Sequence, residues 1–113
     1  SLVVAAALAA VEATFEDLPW VRASVARLRV ARGRLYRNLR KLNILQPYPS
    51  QGNYILCRVL HGRAAELRAR LADLGIMVRG YDGALAGYLR ISVGRPKDTD
   101  TLMKALLTIA ERF

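Results

Sequence analysis

The chain has 113 residues, room for one domain of ordinary size. Hydrophobic residues make up 53% of it and charged residues 24%, the balance of a folded globular domain rather than a disordered tail. A single cysteine, Cys57, excludes an internal disulfide framework, and with one histidine, His61, it cannot build a zinc site. The formal net charge is +9, from 18 basic and 9 acidic residues. Such a surplus invites an anionic partner, but charge alone does not choose which one.

Leu2 to Thr14 is alanine-rich and favours helix. Its apolar part, Leu2 to Val11, is too short for a bilayer, which needs about 20 residues, and no basic segment precedes it to make a signal peptide. No targeting segment is recognised, so the expected compartment is cytoplasmic, with no membrane partner. Asp17 is placed to cap a second helix, with Pro19 in its first turn and Trp20 packed at its start. Val21, Val25, Leu28, Leu35, Leu39 and Leu42 then keep one apolar stripe. Arg22, Arg29, Arg37 and Arg40 fall on the opposite arc. The spacing predicts a helix to about Leu42.

Pro47, Pro49 and Gly52 read as a turn region. Asn53 to Val59 (NYILCRV) is β-prone and apolar enough to predict burial on both faces, with Tyr54 in the packing and Cys57 an inert core thiol. His61, beside Gly62, reads as an ordinary loop residue. Ala64 to Leu74 predicts a helix with Leu67, Leu71 and Leu74 inward, ended by Gly75. Ile76 to Arg79 follows as a brief strand, Gly80 to Gly87 as a loop and Tyr88 to Val93 as a strand stopped by Gly94. Asp98 or Thr99 caps a last helix to about Arg112, with Leu102, Leu106 and Ile109 inward. The order is ααβαββα. It predicts an α+β fold, a two-layer domain over residues 1–113 whose small sheet is covered by helices.

No catalytic set of Ser, His and Asp, no Walker loop and no metal motif occurs, so no residue is assigned as catalytic, cofactor-binding or metal-binding. Two arginines stand out by position. Arg90 lies in a strand among Leu89, Ile91 and Val93, where a buried guanidinium needs an anionic partner. Arg79 ends the preceding strand, across a glycine-bearing loop. If the two strands pair, both arginines reach one pocket and can hold an anionic ligand. The competing reading pairs them with internal acids such as Asp82 or Asp98.

The runs NYILCRV, LADLGIMVRG and GYLRISVGRPKDTDTLMKAL resemble the C-terminal small domain of the histidinol-phosphate aminotransferase family, which is of fold type I and uses pyridoxal phosphate. The upstream ARGRLYRNLRKLNILQPYPSQGN also fits that family's long helix and its Pro-Ser-X-X-Asn turn. The resemblance implies that Arg90 grips the substrate's α-carboxylate in a two-pronged fork and that Arg79 helps bind its phosphate. It implies transamination between histidinol phosphate and 2-oxoglutarate in histidine biosynthesis, a large domain in the same parent chain, and a homodimer. The Schiff-base lysine and the aspartate on the pyridine nitrogen would lie in that large domain. Lys41, Lys97 and Lys104 match no such motif, so this chain alone is expected to be inactive and to bind no cofactor.

Threonine-phosphate decarboxylase shares much of the same pattern and is the sibling alternative. A basic nucleic-acid-binding module is an alternative of another class. No acidic residue occurs between Asp17 and Glu66, while ten basic ones do. The strands lack the aromatic platform of ribonucleoprotein domains, and charge runs more often mark solvated helix faces, which makes nucleic acid the weaker reading. A regulatory amino-acid-binding domain ranks last, because the repeated βαβ halves are missing.

Overall fold

The computed structural model describes residues 17–113. The helix expected over Leu2 to Thr14 lies outside the described residues. Contacts divide the chain into two units, Ser1–Val30 and Ala31–Phe113. Helix α1 covers Pro19–Arg40. The Leu18 carbonyl accepts the Arg22 N–H at 3.0 Å, so Leu18, not Asp17, holds the cap position and Pro19 the first helical one, where its missing N–H costs nothing. In the first unit Trp20 is 65% exposed rather than packed, and Val25 is exposed as well.

In the second unit Leu35 and Leu39 of α1 are buried. The helix stops at Arg40, two residues earlier than its stripe suggested. Leu42 is still buried, carried inward by the turn that follows. Strand β1 (Leu45–Pro47) is an element the sequence did not predict, and its last residue, Pro47, opens the stretch expected to turn. It is followed by β2 (Tyr54–Val59), helix α2 (Ala64–Asp73), β3 (Arg79–Gly80), a 3-10 turn (Gly83–Leu85), β4 (Tyr88–Ser92) and helix α3 (Pro96–Ala110). The expected strand from Ile76 shrinks to Arg79 and Gly80, because only these two residues meet β4.

The sheet order is β1-β2-β4-β3 and every pairing is antiparallel. Ile55 and Cys57 of β2 face the helices together with Leu89 and Ile91 of β4, and all four are buried. They close on Leu35, Leu39, Leu67, Leu71, Leu102 and Leu106. Each such leucine contributes roughly 1.5–3 kcal/mol by leaving water. The alternate residues of β2, Tyr54, Leu56 and Arg58, fall on the other face, so the strand is buried on one side only. Among the described residues the fold is two-layered, helices against one face of a four-stranded sheet.

Gly75 ends α2 as expected, at φ +80°. Its N–H bonds to the Ala72 carbonyl and the Ile76 N–H to that of Leu71, both at 2.9 Å, the paired bonds of a left-handed helix stop. Leu74, at the position that leaves helical geometry, turns outward and is 55% exposed, against the inward expectation. At α3 the cap position falls to Arg95. Asp98 sits one turn inside and accepts the Arg95 N–H at 3.0 Å, while Thr99 is buried within the helix. The helix ends at Ala110, short of Arg112.

Candidate functional site: the open face of the sheet

The pleat decides which side chains share the side of the sheet away from the helices. Register pairs Arg79 with Arg90, Arg90 with Leu56, Arg58 with Tyr88, and Tyr54 with Ser92. Arg79 and Arg90 are therefore neighbours on one face, as the expected strand pairing required. Arg90 is half-buried and Arg79 exposed. Neither sits in the apolar interior, so Arg90 is not the guanidinium buried among Leu89 and Ile91 that the sequence predicts. Those two residues point the other way, into the core.

The reading that gave the arginines internal acid partners also fails. Among the described residues no carboxylate lies within 4.0 Å of either guanidinium, and Asp98 pairs with Arg95 at 3.6 Å instead. Their nearby groups are aromatic. The Arg90 guanidinium carbon is 5.0 Å from the Tyr54 ring centre and that of Arg79 is 5.9 Å from the Tyr81 ring centre. Tyr48 and Tyr88 extend the aromatic surface, with ring centres 6.3 Å apart. Desolvation, then the neighbouring Tyr88 side chain, holds the Tyr48 phenol above its ordinary pKa, and Arg58 acts in the opposite sense.

Tyr54 and Arg58 were not singled out as site residues, although the signal was there. They stand at i and i+4 of β2, on the face that also carries Arg90. Cys57 is fully buried and desolvation pushes its thiol up to about 12, which makes it the inert core residue expected. His61 is exposed beside Gly62 in the loop after β2.

The strand arginines present a positive field, and among the described residues no acid pairs with their N–H donors. A guanidinium can offer two parallel N–H bonds to a carboxylate or a phosphate. Cofactor attachment has no comparable basis here. Lys41, Lys97 and Lys104 are all exposed, outside the strands, and none shares the face with Arg79 and Arg90. The residues of this chain thus do not fit covalent attachment of pyridoxal phosphate. Among the described residues no cluster of three or more His, Cys, Asp or Glu side chains can hold a metal, and no helix is long and apolar enough to cross a membrane.

The basic run of α1 is partly engaged within the second unit. Arg34 pairs with Asp100 at 2.6 Å and Arg32 donates to the Gly52 carbonyl at 2.9 Å. These contacts direct two of its charges onto the chain itself.

Comparison with known proteins adds an independent line. The chain is 42% identical over 107 residues to a histidinol-phosphate aminotransferase of Dehalococcoides mccartyi, covering 94% of this chain and 30% of that one. It spans about a third of the length of such relatives. The histidinol-phosphate aminotransferase structure from Clostridium acetobutylicum shares the fold, with TM-score 0.79, 19% identity, and coverage of 87% and 30% of the two chains. L-threonine-O-3-phosphate decarboxylase from Porphyromonas gingivalis superposes with TM-score 0.69 and 28% identity, over 83% of this chain and 29% of that one. Residues 1–106 match the family described as aminotransferase class I and II. With a strand-borne arginine pair on its open sheet face, the chain belongs to the class I and II aminotransferase family.

Proposed function

We propose that this chain is the C-terminal small domain of an aminotransferase that uses pyridoxal phosphate and moves the amino group between histidinol phosphate and 2-oxoglutarate in histidine biosynthesis. The observation that carries the reading is the juxtaposition of Arg79 and Arg90 on one sheet face, with no ion-paired acid among the described residues. The 42% identity to a histidinol-phosphate aminotransferase supports the substrate class, and the 30% coverage of that relative supports a domain of a larger enzyme.

In this reading Arg90 grips the α-carboxylate of the amino-acid partner through two parallel N–H bonds, which fixes the amino group against the cofactor. Histidinol phosphate has no carboxylate, so its phosphate is the anion the arginine pair has to meet, with Arg79 adding the second positive charge. Pyridoxal phosphate supplies the carbonyl and electron sink of transamination. Its lysine belongs to a large domain outside this chain, which together with a second protomer completes a cytoplasmic homodimer. The 113-residue chain alone is inactive and retains no cofactor.

A second reading, the small domain of a threonine-phosphate decarboxylase, is favoured by the 28% identity and TM-score 0.69 to such an enzyme. Both substrates bear a phosphate, so the open face suits either. The experiment offers the complete enzyme histidinol phosphate with 2-oxoglutarate, and O-phosphothreonine alone. Glutamate formation in the first mixture supports the aminotransferase. Carbon dioxide release from the second, without glutamate in the first, overturns it in favour of the decarboxylase.

A further inference from the structure

We infer that Tyr54 is the positioning residue of Arg90, holding its guanidinium over the open sheet face without neutralising it. The inference rests on the anion-binding reading above and deepens it. Arg90 is attached to the sheet only at its backbone, through a long and flexible side chain. Left to itself that side chain samples many rotamers, and each bond to a ligand pays for freezing it. Proteins commonly fix such an arginine with a carboxylate, which also cancels the charge. Here no carboxylate among the described residues lies within 4.0 Å, and the guanidinium carbon lies 5.0 Å from the Tyr54 ring centre.

Register explains the meeting. Tyr54 opposes Ser92, two residues beyond Arg90 on β4, so the tyrosine and the arginine are diagonal neighbours on one face. Diagonal neighbours are within reach of one another only when both side chains are long, as these are. The ring's quadrupole attracts a cation within about 6 Å of its centre and holds it without taking a proton or an N–H bond. The N–H donors remain available for a ligand's oxygens. Half-buried Leu56 is the direct partner of Arg90 on the same face. The phenol hydroxyl plays no part in holding the guanidinium. The ring does.

The test uses the 113-residue chain, labelled with nitrogen-15, and inorganic phosphate as the probe. Two signals are read, the Nε–H resonance of Arg90 and the phosphate dissociation constant. In the wild type the ring current shifts the Arg90 Nε–H proton upfield of the other arginines. Tyr54→Phe is expected to keep both that shift and the phosphate affinity. Tyr54→Leu is expected to abolish the shift and weaken phosphate roughly two- to fivefold, as the loss of a part-exposed cation–π contact predicts. The backbone amide spectrum confirms that each variant is folded. An unchanged Arg90 resonance and unchanged affinity in Tyr54→Leu overturns the inference, as does Tyr54→Phe behaving like Tyr54→Leu. If Arg90→Ala binds phosphate as tightly as the wild type, the anion-binding reading fails instead, and the Nε–H shift still decides whether Tyr54 positions the arginine.

Discussion

Arg79 and Arg90 oppose each other as Cα partners across the β3–β4 ladder, two like charges side by side on one sheet face. Like charges placed directly opposite destabilise a sheet. Among the described residues no acid compensates them within ion-pair distance. The arrangement costs the folded state something and leaves the positive field for a ligand.

That cost is measurable in the chain itself. Arg79→Thr removes the repulsion and places a β-branched residue in a strand, so urea denaturation is expected to show a gain of about 0.2–1 kcal/mol. Phosphate should then stabilise the variant less than the wild type, because ligand stabilisation follows affinity. A variant destabilised in buffer and equally rescued by phosphate contradicts both halves.

In the complete enzyme, Arg90→Lys keeps the charge but loses the two-pronged grip. Losing one partner of a charge-assisted contact costs on the order of 2–5 kcal/mol, so kcat/KM is expected to fall roughly 30- to 4,000-fold. Arg79→Ala should lower kcat/KM for histidinol phosphate while sparing slow turnover of histidinol. Equal losses on the two substrates make Arg79 structural.

Cys57 gives a pH-dependent expectation. Burial raises its folded-state pKa to about 12, so the unfolded chain ionises this thiol first as pH rises. The contribution is fully present below the unfolded pKa, near 9, and is lost as pH climbs towards 12. In that window the slope is on the order of 1.4 kcal/mol per pH unit. Cys57→Ala should show a shallower decline in urea midpoints over the same range. At pH 8 a thiol reagent should label the wild type only after unfolding.

Much of this was legible in the sequence, for reasons specific to each segment. The alternation of Tyr88 to Val93 marked a strand, and a glycine after Leu74 marked the end of α2, because both signals are local. Strand β1 was hidden because Pro47 reads as punctuation. Its pairing with Cys57 at the sheet edge, where a missing N–H does no harm, is a tertiary fact. The open side of β2 was misread because Tyr54 and Leu56 look as apolar as the core residues between them. Asp98 was recognised as a helix-start residue, but whether it caps from outside or reaches back from the first turn depends on where Pro96 begins the helix.

The helix stop can be tested by itself. Gly75 has φ +80°, and a side chain there is strained whatever the space around it, so Gly75→Ala is expected to cost about 1–2 kcal/mol in denaturant unfolding. Gly87 has no such dihedral and open space where a Cβ would go. Gly87→Ala should be neutral or stabilise by about 0.4–1 kcal/mol through the unfolded chain. Equal effects at the two positions contradict the assigned geometry.

The short outer strands of the sheet have a further consequence. β1 offers three residues, one of them a proline without a donor, and β3 offers two, one of them a charged arginine. Long, flat, uncharged margins invite a neighbouring chain to add itself as the next strand. This sheet gives such a visitor almost nothing to hydrogen-bond to on either flank. Association of the chain with copies of itself is therefore steered away from strand-by-strand growth and the fibrils it leads to, and towards contacts made by side chains on its faces and helices.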